Sequence, residues 1–294
     1  MCGNIIIIAF YGVQINQRPE ENLTMRLATA NDIVFDKLLT DNDKIIFNLF
    51  ELIKQNSRAF IATDDETYIF AESSRRAPSW LYLSGLPQGK ALEELVSLVS
   101  GMVKLNALFK INARDELVRP LLDAVSEECR VPYSPELEME VYSCNAPHPF
   151  ERLDGRMISP REEHRELMKE FVVGMVRDSA GLNFDTDETE KFTSALLSSQ
   201  SFFLWENSDG KIVSMAKIAH KANGFARLNA IFTDTDQRGR DYTKMLLSQI
   251  TVSLLEEGFT PLIYSDRLIV DKNKAFEAIG YKKVGDITQF AFHH

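Results

Sequence analysis

Two arginines separated by one glycine, Arg238-Gly239-Arg240, are followed at once by Asp241, Tyr242 and Thr243. Guanidinium groups suit anions because they offer paired N–H donors in a fixed fork. The glycine lets the backbone turn and approach a ligand without a Cβ in the way. If a helix starts here, its first-turn N–H groups lack an intrahelical partner and face whatever the loop holds. The chemistry on offer is anion binding. A solvated loop is the plainer alternative, weakened here because both arginines flank the glycine within the turn.

The neighbouring elements would have to position that loop. Upstream, Leu228, Ala230, Ile231 and Phe232 are the apolar and β-favouring positions of a strand. Thr233 to Gly239 is a polar break. Downstream, Tyr242, Met245, Leu246, Ile250 and Leu254 recur at three- and four-residue steps, which predicts a helix with one buried face.

This strand, loop and helix resemble the acetyl-coenzyme A motif of the GCN5-related N-acetyltransferases: strand, Tyr/Phe-Thr, then Arg-Gly-x-Gly-Tyr-Ala/Gly, then helix. Phe232-Thr233 and Arg238 to Thr243 fall on that pattern, with Asp241 where the family usually has Gly and Thr243 where it has Gly or Ala. Further on, Asn273 to Tyr281 resembles the family's Asn-x-x-Tyr-x-x-x-Gly-Phe/Tyr ending, with Phe276 in place of the customary Tyr. The resemblance covers roughly the last half of the chain. It implies an α/β chain (a mixed, α+β sheet) with the acyl-CoA N-acyltransferase fold. It also implies acetyl-CoA as cosubstrate, no metal, and a small-molecule or peptidyl amine as acceptor. Backbone groups of Ile231 and Thr233, beside Phe232, would hold the pantetheine arm as an added strand would. Arg238, Gly239, Arg240, Asp241, Tyr242 and Thr243 would hold the pyrophosphate, and Asn273 and Phe276 would complete the site.

Acetyl transfer to a lysine-like amine needs a neutral lone pair. At pH 7 an amine of pKa ~10.4 must give up a proton at a cost of ~4.6 kcal/mol. The leaving thiolate then takes a proton, or departs unaided since a thiol pKa is only ~8.5. Phe276 has no proton to give, so Tyr264, Asp266 and Tyr281 are the candidate catalytic residues, each weighed against a packing role. Phe276→Tyr would then be expected to raise turnover. Asp241 places a carboxylate near bound phosphate, where repulsion of roughly 3 kcal/mol at about 5 Å opposes binding unless a neighbouring arginine pairs with it. Asp241 and Phe276 together keep a second reading open: an acyl-CoA-binding sensor or scaffold without efficient catalysis.

Net charge is −10, from 33 basic and 43 acidic residues, which disfavours nucleic acid as a partner. The three cysteines form no CxxC pair, and the five histidines complete no metal spacing, so free thiols in a cytoplasmic protein are expected. Ile5 to Val13 is too short to span a membrane, which takes ~20 apolar residues, and reads as a strand. Met1-Cys2-Gly3 matches the start of amidotransferases that use an N-terminal cysteine, but the downstream motifs are missing. A homodimer is compatible with the sequence, which is otherwise silent on oligomeric state.

Asn145-Ala146-Pro147-His148-Pro149 reads as a linker, dividing the chain into 1–145 and 150–294. Ser159-Pro160-Arg161-Glu162 carries the cap, proline and acidic residue of a helix start. The order hairpin, strand, loop, long helix, strand, helix, strand occurs at 60–144 and again at 202–292. The N-terminal half is therefore either a diverged second copy of the same fold, giving two tandem domains, or an unrelated α/β domain with that order. It lacks the Arg-Gly-x-Gly signature before its long helix.

Overall fold

The computed structural model describes residues 23–148, 154–180 and 183–294. The strand expected at Ile5–Val13 and the Cys2 motif lie outside them. The chain forms two compact units: residues up to Met139 together with Gly285–His294, and Glu140–Val284.

The first unit contains β1 (Arg26–Leu27), α1 (Val34–Leu38), α2 (Asp41–Ile46), α3 (Leu49–Lys54), β2 (Phe60–Thr63), β3 (Tyr68–Glu72), β4 (Ser79–Leu83), α4 (Gly89–Leu105), β5 (Lys110–Ala113), α5 (Asp115–Cys129) and the start of β6 (Tyr133–Ser143). β2, β3 and β4 pair antiparallel in sequence, and β4 runs parallel to β5. The parallel step is possible because α4 supplies the crossover. Leu95, Val99 and Val103 of α4 and Leu121, Leu122 and Val125 of α5 pack on Phe70, Leu81 and Ile111. A second cluster joins Phe35 of α1, Phe50 of α3 and Phe47, in the turn between α2 and α3, to Trp80 and Tyr82.

The second unit contains β7 (Arg156–Ile158), α6 (Arg165–Ala180), α7 (Thr186–Leu197), β8 (Phe202–Glu206), β9 (Ile212–Ala222), β10 (Phe225–Thr233), α8 (Tyr242–Glu256), β11 (Thr260–Asp266), α9 (Val270–Ile279) and the start of β12 (Lys282–Phe292). Its strand order is β7-β8-β9-β10-β11-β6. β8, β9 and β10 are antiparallel, and β10 runs parallel to β11. Ala226, Leu228 and Ile263 meet Leu246, Ile250 and Leu254 of α8 in one core. Met168, Phe171 and Val172 of α6 meet Phe202, Leu204, Met215 and Phe232 in another.

The division differs from the one expected at 145/150. The segment 145–148 packs on the end of α9: His148 N–H donates to Ile279 O at 2.7 Å, and a Cβ on Gly280 would come within 2.7 Å of Ala146 O. The last strand also belongs elsewhere than expected. From Thr288 to Ala291, β12 pairs antiparallel with β5, so Gly285–His294 closes the first unit. The helix start expected at Ser159 is delayed: β7 ends at Ile158, a 3-10 turn occupies Glu162–His164, and α6 begins at Arg165. At Asp185 a capping box with Glu188 starts α7.

Candidate active site

The candidate site begins where β10 leaves β11. Their pairing runs from Phe225↔Thr260 to Leu228↔Ile263. A bulge follows, with Ala230 at φ +50. Bulges of this kind bend a strand and re-aim its side chains. Beyond it, β10 stays on β9 through Phe232↔Met215 and Thr233↔Ser214. Its other edge opens onto a cavity of about 700 Å³.

Ile231, Phe232 and Thr233 form one wall. The loop after β10 and the first turn of α8 form the floor, with Arg238, Gly239, Asp241, Tyr242 and Thr243. Gly239 at φ +78 and Asp241 at φ +62 are both left-handed, which folds the main chain into a concave turn. The main-chain N–H groups from Gly239 to Lys244 have no hydrogen-bond partner among the described residues. A run of free N–H groups at the start of a fifteen-residue helix favours negative charge.

Hydroxyl groups tie this floor to the sheet. Thr233 Oγ1 lies 2.5 Å from Thr243 Oγ1 and donates to Ser214 Oγ at 2.8 Å, which in turn donates to Phe232 O at 2.8 Å. Tyr242 is buried and donates to Asp154 Oδ2 at 3.0 Å. Thr243, unlike the small residue of the motif, thus has a bonding role.

The charged groups are partly paired already. The Arg238 guanidinium binds Asp178 of α6, donates from Nε to Thr233 O at 3.3 Å, and stacks 5.5 Å from the Phe232 ring centre. Asp241 Oδ1 pairs with Lys244 Nζ at 2.8 Å, so a lysine one turn on, rather than either arginine, answers its charge. From α9, Lys272 Nζ donates to Ile231 O at 3.3 Å. Burial pushes the Lys272 ammonium below the usual lysine value and Arg238 adds to the fall, while Asp178 opposes it.

Of the residues singled out in the sequence, Ile231, Phe232, Thr233, Arg238, Gly239, Asp241, Tyr242 and Thr243 line the cavity together. Arg240 lies on the exposed side of the loop, outside the lining. Asn273 is buried and occupied: its Nδ2 donates to Glu140 Oε2 at 3.1 Å and Asp266 O at 3.2 Å, and its Oδ1 accepts from Ser265 at 2.6 Å. Phe276 is 0% exposed, with ring centres of Tyr142 at 5.9 Å and Tyr281 at 6.3 Å. Tyr281 is 2% exposed and its hydroxyl lies 2.7 Å from Thr251 Oγ1, with burial raising its pKa. These three residues fasten α9 to the core and do not line the cavity. Tyr264 and Asp266 lie among the last three residues of β11, beyond its pairing with β10; both are half-buried and neither lines the cavity.

The sequence did not single out Asp178, Lys244 or Lys272. Lys272 carried a signal: with Ala275 it occupies successive turns of one helix face, directly beside the Asn273 motif. Asp178 carried none, because it arrives from a helix sixty residues upstream of Arg238.

Among the described residues no group of three or more His, Cys, Asp or Glu could hold a metal ion, and no helix is long and apolar enough to cross a membrane. No family model and no curated protein sequence matches the chain. Solved structures do. A GNAT-family acetyltransferase from Colwellia psychrerythraea is similar over 91% of this chain and 99% of its own, at TM-score 0.56 and 13% identity. A GCN5-related N-acetyltransferase from Sphaerobacter thermophilus is similar over 94% and 96%, at TM-score 0.60 and 11% identity. An acetyltransferase from Pyrococcus horikoshii is similar over 95% and 93%, at TM-score 0.52 and 12% identity. Taken with the parted strands and the loop between β10 and α8, these likenesses mean that the chain has the fold of the GCN5-related N-acetyltransferases.

Proposed function

We propose that the chain is an acetyl-CoA-dependent N-acetyltransferase whose cosubstrate lies in the cavity between β10, α6, α8 and α9. The observation that carries this reading is the bulge at Ala230, which leaves the edge of β10 open beside six N–H groups without a partner among the described residues. The open edge suits an extended pantetheine arm, and the N–H groups with Arg238 suit a pyrophosphate. The acetyl thioester, once bound, supplies an activated acyl carbon. The chain's own part is to fix that carbon against an incoming amine and to carry protons away. Tyr264 and Asp266, on the strand that parts from β10, are the groups proposed for proton handling. Tyr281 is withdrawn from that role, because its hydroxyl is committed to Thr251 in the core.

Lys272 adds a feature. It occupies the Ile231 carbonyl that an arm laid along β10 would bond, so binding has to displace it or share that oxygen. The N-terminal unit repeats the order of two antiparallel strands, a third strand, helix, parallel strand, helix. We infer that it is a diverged copy that supports the site and does not itself bind acetyl-CoA.

Thiol release from acetyl-CoA, followed with a panel of small and peptidyl amines, tests the activity. Amine-dependent release is expected. Calorimetric binding of acetyl-CoA without release by any amine would instead favour a binding module that has lost catalysis.

A further inference from the structure

We propose that the acceptor amine carries a carboxylate, and that Arg227 binds it with Asn229 beside it on β10. This deepens the acetyltransferase reading and rests on it for the position of the acetyl group. Arg227 sits in the middle of the sheet of the second unit, opposite His220 of β9 and Leu262 of β11. Ala226 and Leu228 alternate with it and pack into the core with α8, so Arg227 and Asn229 face the other side of the sheet.

Two unanswered polar groups stand on that side. Arg227 Nε is buried without a hydrogen-bond partner, and so is Asn229 Oδ1. No carboxylate pairs with the guanidinium among the described residues. Burial lowers its pKa, and the only titratable group that opposes the fall is Tyr264. An arginine placed this way for packing alone would normally have a carboxylate or carbonyl to meet it, because an uncompensated buried charge is strongly unfavourable. A ligand carboxylate would meet the sheltered Nε of this half-buried side chain.

The position along the strand indicates which ligand. Asn229 is one residue before the bulge at Ala230, where β10 parts from β11 and the acetyl group would be held. Its amide oxygen is an acceptor suited to an amine N–H. Arg227 is two residues back on the same face, roughly 6.8 Å along the strand. Donor and acceptor thus match the two ends of a short amino acid or related amino carboxylate. The planar fork of the guanidinium suits a carboxylate held by paired N–H bonds, and Lys217, opposite Asn229 on β9, adds a second positive charge to this face.

Matched acceptors test this: alanine, β-alanine, 4-aminobutyrate and lysine, each against its carboxamide, in thiol release from acetyl-CoA. For at least one pair, wild-type kcat/KM should favour the carboxylate by ~30-fold or more, the loss typical of leaving a buried charge unpaired. Arg227→Gln should remove that preference, and Arg227→Lys should restore part of it. Equal use of acids and amides by the wild-type protein overturns the proposal, and that comparison needs no variant to fold. So does an equal loss for both in Arg227→Gln. If acetyl-CoA itself does not bind, the acetyltransferase reading fails. Calorimetry with the amino carboxylates alone then decides: binding lost in Arg227→Gln supports the anion site, and no binding to wild type overturns it.

Discussion

Asp241 combines a backbone conformation that suits glycine with a charge that a bound phosphate would meet. It caps α8 in the left-handed region, at φ +62 and ψ +12, without using its carboxylate as a cap. Glycine adopts that conformation freely and aspartate tolerates it. The half-exposed pair with Lys244 contributes little. Asp241→Gly should therefore change stability by less than ~1 kcal/mol, relief of strain being offset by the freer unfolded chain. It should tighten acetyl-CoA binding several-fold in calorimetry, because repulsion from the phosphates is gone. Unchanged or weaker binding would mean that Lys244 already cancels the charge. Phe276 gives the opposite lesson. With no exposure and two aromatic neighbours, it offers no room for a hydroxyl. Phe276→Tyr should lower stability by ~1–3 kcal/mol in thermal or denaturant melts and leave turnover no faster; a raised kcat would place this ring at the acetyl group after all. Residue types that bind anions were legible in the sequence because spacing alone marks them. Burial was not: nothing in the pattern around Tyr281 separates a phenol in the core from one at a cavity.

Among the elements, α6 and β10 set the wall of the site through one close contact. A Cβ on Gly174 would lie 2.6 Å from Cζ of Phe232, and the ring of Phe171 packs on the same phenylalanine at 5.4 Å. Alanine would gain up to ~1 kcal/mol of helix propensity at Gly174. An aromatic ring held by the sheet cannot yield cheaply, and overpacking of this kind costs ~1–3 kcal/mol. Gly174→Ala should therefore lower the melting temperature and weaken acetyl-CoA binding together, since Phe232 lines the cavity; a more stable variant with intact binding would show that the ring swings aside. The strand and helix flanking the loop were legible from hydrophobic periodicity to within a residue or two. The bulge was not, because alanine at Ala230 gives no sign that its φ is positive. The start of α6 was misplaced for a related reason: Ser159-Pro160 has the composition of a cap, but β7 pairing with β8 holds the chain extended through Ile158.

At the scale of the whole molecule, the element order of both halves was legible, whereas the division between them was not. Prolines near 147 suggested a linker, yet that segment is bound to α9, and the last ten residues complete the N-terminal unit through β5. Contacts so distant in sequence leave no local pattern. The loop with free N–H groups and arginine occurs in the second unit, which is why one cosubstrate per chain is expected. Isothermal titration of acetyl-CoA tests this most directly, using the wild-type chain, Arg238→Glu in the cavity, and Lys90→Glu at the start of α4 as the control. One site per chain is predicted, weakened at least ~10-fold by Arg238→Glu, where a charge-assisted contact becomes a repulsion, and unchanged by Lys90→Glu. No binding, two sites per chain, or equal losses in the two variants would contradict it.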